Sequence, residues 1–545
     1  MNSLVLLLIG IVLFLAAYAG YGGYLAKQWG IDPDKKTPAH TMRDDIDYCP
    51  ADAKVLLGHH FSSIAGAGPI TGPIAAAIFG WLPVYLWIII GSIFFGGVHD
   101  WGSLLASVRH EGKSIGEIIR INIGENGKKL FNIFAYLTLI LVVAAFTDIC
   151  AGTFAFDPAK PEALTGARAG TASVLFIVLA MAFGFFVYRK GASLSVSSVV
   201  GVALLFFCIW IGYQFPVLKL SKLTWDVLLI IYIFAASTLP VWLLLQPRDY
   251  LCSFLLYAML AGAVIGVLIV RPEMAIPASV GFTVGEGAKA QYLFPMLFVT
   301  VACGAISGFH SLVGSGTSSK QLNNEKDTKL VGYGAMLIEG VLAIIALITV
   351  SYVVGAKGTP AQIFAGGVAD FMSNFGIPVS VGAVFVILAF SAFALTSLDT
   401  ATRLGRYIFQ EMTTKADGTK SPLSNMYVST AITVGLSALL LSYGYTKIWP
   451  IFGSANQLLA GLSLLAVSAW LAKSGKKNLM TVLPMVFMFA VTLTALVLVA
   501  KNNFAGGNLI IGSIASILFV LAIVLIVTTI NTFFGSNSKN KKISA

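Results

Sequence analysis

The chain has 545 residues, 57% hydrophobic and 11% charged, with mean hydropathy +0.87 and a formal net charge of +11. Soluble globular chains carry roughly 25% charged residues, so this composition excludes a soluble enzyme and defines a polytopic protein set in a lipid bilayer. The 35 Lys and Arg lie in short loops between apolar runs rather than on one patch, which excludes a nucleic-acid partner.

Leu4 to Ala17 is apolar and runs into Ala17-Tyr18-Ala19, which resembles a small-residue cleavage site. The leader Met1-Asn2-Ser3 has no Lys or Arg, so a retained first helix is expected. Runs near the ~20 residues that cross a hydrocarbon core fall at 3–21, 61–79, 82–107, 129–153, 170–188, 194–215, 226–245, 250–270, 290–312, 330–354, 377–398, 424–443, 449–472, 480–500 and 508–532. The expectation is an all-α polytopic membrane protein of about 15 transmembrane helices. With the N-terminus outside and the C-terminus cytoplasmic, the cytoplasmic loops and tail hold 26 of the 35 Lys and Arg, the opposite loops 9. That excess is what the positive-inside rule expects. Cys49, Cys150, Cys208, Cys252 and Cys303 are scattered and lack metal spacing, so they read as packing residues.

Gly58 to Ala77 should cross the membrane yet carries Gly66, Gly68, Pro69, Gly72 and Pro73. Proline removes a backbone donor and clashes with the preceding turn, and broken backbone in a bilayer survives only inside protein or beside a watery cavity. Interrupted helices of this kind hold substrate and coupling ion in secondary transporters. A second interruption is expected at Ala235-Ala236-Ser237-Thr238-Leu239-Pro240, five spans later. An odd offset inverts the second segment, which predicts a five-plus-five inverted-repeat transporter core with two broken helices. Its parts would be an N-terminal helix and loop at 1–59, repeats at 60–215 and 226–412, and accessory helices with a basic tail at 424–545.

Exposed N–H groups at such breaks suit a substrate carboxylate, so Gly66, Ala67, Gly68, Pro69 and Thr71, with Ser237 and Thr238, are the candidate substrate-binding residues; structural kinks are the alternative. Ionisable groups inside spans mark pathways by default, and His99, Asp100, Asp148, His310, Glu339 and Asp399 all fall there. His99–Asp100 reads as part of a coupling-proton site, as a pair capping a helix contact, or as metal ligands with His59, His60 and His310. Gly314 to Ser319 is rich in small residues and hydroxyls, so Thr317 and Ser318 suit sodium coordination, although such residues in membrane helices more often serve close packing. Arg248 and Asp249 read as a loop ion pair or gate, and Arg403 and Arg406 as interfacial anchors.

Six segments together resemble the carbon-starvation protein A (CstA) family: GHHFSSIAGAGPITGP at 58–73, LPVWLLLQPRDYL at 239–251, SGFHSLVGSGTSSKQLNNE at 307–325, VGYGAMLIEG at 331–340, FALTSLDTATRLGRYIFQE at 393–411 and WPIFGSANQLLA at 449–460. The resemblance implies a bacterial cytoplasmic-membrane transporter, induced when preferred carbon runs short, that moves peptides or small carboxylates such as pyruvate. It also implies kinship with the amino acid–polyamine–organocation superfamily. The expected function is therefore ion-coupled symport, with H+ as coupling ion or Na+ as the alternative, no resident cofactor or metal, and no enzymatic activity. The rival from another class is a haem-carrying or catalytic intramembrane protein with membrane histidines as ligands.

Overall fold

The computed structural model describes residues 1–44, 48–159, 163–240, 242–285, 290–352, 355, 358–414 and 421–543. Lys160, Lys289, Lys357, Lys415 and Lys420 of the loop-charge count lie outside the described residues. Among the described residues the chain is all-α apart from a short ribbon in which β1 (Thr283–Val284) pairs antiparallel with β2 (Gln291–Tyr292). Twelve helices among the described residues are long and apolar enough to cross a membrane, thirteen if one bent pair is a single span. This is a multi-pass membrane protein. Each of the fifteen expected runs overlies a helical segment, but Lys222–Thr238 and Met426–Leu441, with 17 and 16 residues, are shorter than the other spans. Length and composition alone therefore do not carry the count to fifteen.

In chain order the helices are α1 (Ser3–Trp29), α2 (Ala53–Ile64), α3 (Gly68–Phe79), α4 (Trp81–Arg109), the short α5 (Ile115–Asn122) and α6 (Glu125–Phe154). Then come α7 (Thr165–Val187), α8 (Leu194–Gln214), α9 (Lys222–Thr238), α10 (Leu245–Val270), α11 (Leu293–Val301) and α12 (Gly308–Gly316). The last are α13 (Lys329–Tyr352), α14 (Pro360–Ser373), α15 (Val379–Thr413), α16 (Met426–Leu441), α17 (Tyr445–Lys473), α18 (Leu479–Ala505) and α19 (Leu509–Asn531). The apolar windows of α6 and α17 are 89% and 94% buried, those of α1, α8 and α19 33%, 17% and 33%. Helices apolar all round are core or lipid-facing, and burial sorts them: α6 and α17 are interior, α1, α8 and α19 peripheral.

The first break is where the sequence places it. Ala65, Gly66 and Ala67 separate α2 from α3 at a bend of 47°. Pro69 occupies the first turn of α3, where its missing N–H costs no helical bond. The second break differs from expectation. Ala235–Pro240 does not interrupt a helix; it ends one, because α9 stops at Thr238 and α10 begins at Leu245. Arginines satisfy its terminal carbonyls: Arg403 Nη2 donates to Ala236 and Leu239 O, and Arg406 Nη1 to Ser237 O. The interrupted partner of α2–α3 is α11–α12, parted by a tight turn at Ala302–Gly304 and by extended Ser307. Ala302 sits at φ 46°, ψ −121°, a region L-residues rarely adopt.

The two breaks pack on each other. A Cβ on Gly72 would lie 2.2 Å from the Val301 carbonyl oxygen, and one on Gly68 2.5 Å from Cys303 Sγ. Backbone cannot step aside as a thiol can. Gly72→Ala is therefore expected to lower the yield of monodisperse protein in fluorescence-detected size exclusion more than Gly68→Ala; equal yields would remove this contact from the fold's requirements. Around the breaks the packing is mirrored: α10 lies on α2, α14 and α15, whereas α17 lies on α12, α5 and α6.

Candidate functional site

α12 ties three features together. At its start, Asn456 Oδ1 in α17 accepts from the Phe309 N–H at 2.9 Å, and Asn456 Nδ2 donates to Ser307 Oγ at 3.0 Å. The second break is thus plugged by a side chain, so the N–H at Phe309 is not open to substrate. The signal was an Asn-Gln pair inside an apolar span, within a segment already singled out for its resemblance.

One turn on, His310 joins a buried set. Asp100 bridges two imidazoles: Oδ1 accepts from His99 Nδ1 at 2.6 Å and Oδ2 from His310 Nδ1 at 2.8 Å. The other side of His310 faces Glu339, with Nε2 to Oε2 3.5 Å. All four groups are at most 3% exposed. The proton positions follow from the network. An ionised Asp100 accepting twice requires a hydrogen on both Nδ1 atoms, which leaves His310 Nε2 facing Glu339 Oε2 at 3.5 Å with no hydrogen bond between them. A buried imidazole facing a carboxyl group can exchange a proton with it. His60 Nδ1 lies 2.7 Å from Ser318 Oγ, at the far end of α12, and is also buried. Among the described residues no three His, Cys, Asp or Glu side chains are arranged to hold a metal ion.

Further along, Leu312, Ser315, Gly316 and Thr317 form one wall of a cavity of about 380 Å³. Its other walls include His59 and Ser63 of α2, Lys113 and Ser114 before α5, Asn132 of α6, and Thr400, Arg403 and Glu411 of α15. The hydroxyls of the Gly314–Ser319 run are engaged by the helix itself: Ser315 donates to Ser311 O, Thr317 to Val313 O and Ser319 to Ser315 O.

His99, Asp100 and His310 thus come together as one cluster, and Ser318 borders it through His60. Gly66, Ala67, Gly68, Pro69 and Thr71 surround the first break and are all buried. Ser397 Oγ reaches across to Ser63 O at 3.1 Å beside it. Ser237 and Thr238 lie elsewhere. They sit at a helix C-terminus, which presents carbonyls and a partial negative charge rather than N–H groups, and Thr238 Oγ1 donates back to Phe234 O at 3.1 Å. A carboxylate is not accommodated there.

Sequence reasoning missed a second ionic cluster. Arg248 and Asp249 are not a loop pair; both are at most 1% exposed inside α10. Arg248 Nη1 donates to Asp399 Oδ2 and to the Tyr232 hydroxyl, and Nη2 lies 3.3 Å from Asp249 Oδ1 and 3.2 Å from Thr396 Oγ1. Arg403 and Arg406 are likewise buried, 9% and 4% exposed, rather than interfacial. Their partners lie well over a hundred residues away in the chain, beyond the reach of local pattern.

Helices packed across a bilayer, two interrupted segments in contact, buried ionisable clusters and a cavity on the same helix define a multi-pass membrane transporter. The family profile described as Carbon starvation protein CstA matches residues 2–357 and 352–495. The chain belongs to the carbon starvation protein CstA family. The peptide transporter CstA of Bacillus subtilis (strain 168) is 32% identical, over 97% of this chain and 97% of that protein. The pyruvate/proton symporter BtsT of Escherichia coli (strain K12) is 31% identical, over 91% of this chain and 81% of that protein. Among solved structures, MhsT in complex with L-phenylalanine is similar at 14% identity and a TM-score of 0.48, over 87% of this chain and 99% of that one.

Proposed function

We propose that the protein is a proton-coupled symporter of the bacterial cytoplasmic membrane that takes up short peptides or small carboxylates such as pyruvate. It acts as a transporter and not as an enzyme, with no resident cofactor. Its N-terminus lies outside and its C-terminus in the cytoplasm, the orientation favoured by loop charge. The observation that carries the reading is Asp100 held between His99 and His310, with His310 facing Glu339. The same helix begins at a break and ends on the cavity wall, so a change in protonation there acts on the element that lines the substrate's path. The names of the relatives supply the substrate classes, peptides and pyruvate.

The repeats are best drawn from the mirrored packing, as α2–α6 with α9–α10 and as α11–α17, with α7–α8 inserted in the first. The breaks then open each repeat, and with α4, α6, α7, α8, α9 and α10 between them their offset is odd, as inversion requires. Sodium coupling through Thr317 and Ser318 is the second reading: Thr317 Oγ1 keeps its lone pairs for a cation while donating to Val313 O, and Ser318 Oγ faces His60 Nδ1. Proteoliposomes loaded at neutral pH and diluted into acidic, sodium-free buffer are expected to accumulate labelled pyruvate or dialanine. Uptake that ignores the pH gradient but requires sodium at fixed pH would replace the proton by sodium. A Soret band in the purified protein would instead favour a haem carrier.

A further inference from the structure

We propose that Arg403 reads the carboxylate of the transported molecule from the cavity wall; only the identity of the acids tested rests on the uptake reading above. Of the other cations on that wall, Lys113 is ion-paired and Lys320 is only partly buried, over a tyrosine ring. Lys113 pairs with Glu111 at 2.8 Å, Glu411 with Lys128 at 2.5 Å, and the Lys320 ammonium lies 5.3 Å from the centre of the Tyr48 ring. Arg403 differs. No carboxylate forms an ion pair with it among the described residues, and the acid nearest in electrostatic effect, Asp249, is bonded to Arg248. Its Nη2 donates to Ala236 O at 2.8 Å and Leu239 O at 2.9 Å, while its buried Nε has no acceptor among the described residues.

A buried charged N–H without an acceptor is costly. Two carbonyls on Nη2 fix the plane of the guanidinium, so Nη1, which has no hydrogen-bond partner among the described residues, is held in place before a ligand arrives. Nη1 can give a carboxylate oxygen a charge-assisted hydrogen bond, and a lysine, without a planar group anchored on two carbonyls, does not hold a donor at that point. A volume of about 380 Å³ accepts pyruvate or a dipeptide with room for water. Arg406 is the internal control. Its Nη1 holds the neighbouring Ser237 carbonyl at 2.6 Å and its Nε is also unpaired, but it stacks on Tyr407 and is not on the cavity wall.

The test is binding to the purified full-length protein in detergent, read by calorimetry, with pyruvate against pyruvamide and dialanine against its C-terminal amide. Wild type is expected to prefer at least one acid over its amide, and loss of a buried charged contact corresponds to about thirtyfold or more. Arg403→Gln should bring acid and amide to within about twofold, and Arg403→Lys should weaken acid binding at least tenfold while leaving amide binding unchanged. Arg406→Gln should keep the wild-type preference. Retained acid preference in Arg403→Gln would overturn the proposal, as would equal loss of preference in Arg406→Gln, or no acid preference in wild type. Preserved binding in a protein that fails to transport would sink the uptake reading and leave this assignment standing.

Discussion

Glu339→Gln is expected to retain substrate exchange and to lose accumulation driven by a proton gradient. Glutamine keeps the shape of the side chain, and its amide donates to His310 Nε2 across the 3.5 Å now separating Glu339 and His310. It cannot take up or release a proton, so the cluster loses the titratable group facing His310 while packing persists. Counterflow in proteoliposomes with equal pH on both sides should stay within about threefold of wild type. Uphill uptake should fall by two to three orders of magnitude if the coupling rests on a buried pair worth about 3–5 kcal/mol. Asp100→Asn should do the same with a larger loss of stability, because Asp100 serves two imidazoles and Glu339 faces one. Wild-type accumulation by the Glu339→Gln protein would show that the coupling proton is carried elsewhere.

The second large effect concerns structure. Arg248 is the only cation hydrogen-bonded to Asp399 and Asp249 among the described residues, and all three are at most 1% exposed. Removing the cation strands two carboxylates in a dry interior, whereas removing one carboxylate leaves a matched pair. Arg248→Met should therefore destabilise the protein by about 3–5 kcal/mol, seen as a marked fall in thermal midpoint in detergent. Asp399→Asn should cost clearly less. The triple change Arg248→Met, Asp249→Asn, Asp399→Asn should recover part of the loss, since uncharged groups need no counter-ion. If Asp399→Asn proves worse than Arg248→Met, the cluster is held by its hydrogen-bond geometry and not by its charge balance.

Several elements were legible before any tertiary contact was known. The spans follow from unbroken apolar length, and the first break from two prolines and three glycines within 66–73. His99, Asp100, His310 and Glu339 stood out because charge inside a span is costly wherever the span packs. The second break was misplaced for a physical reason. Pro240 is a strong local stop, but here it terminates α9 at an end where Arg403 and Arg406 take the carbonyls. The true interruption at 302–307 contains no proline; it is held open by Asn456 and by close backbone contact, a Cβ on Gly308 meeting Asn456 O at 2.3 Å.

Hydropathy and backbone chemistry are properties of neighbouring residues, so the linear chain determined that this protein crosses a membrane many times and breaks one crossing at 65–67. Partnership is a property of the folded bundle. Which imidazole of another helix shares Asp100, which acid faces His310, and which arginine keeps a free donor on the cavity wall were decided by contacts between different helices. In a dry interior the value of a charge depends on what stands within a few ångströms of it, and only the tertiary structure sets that distance.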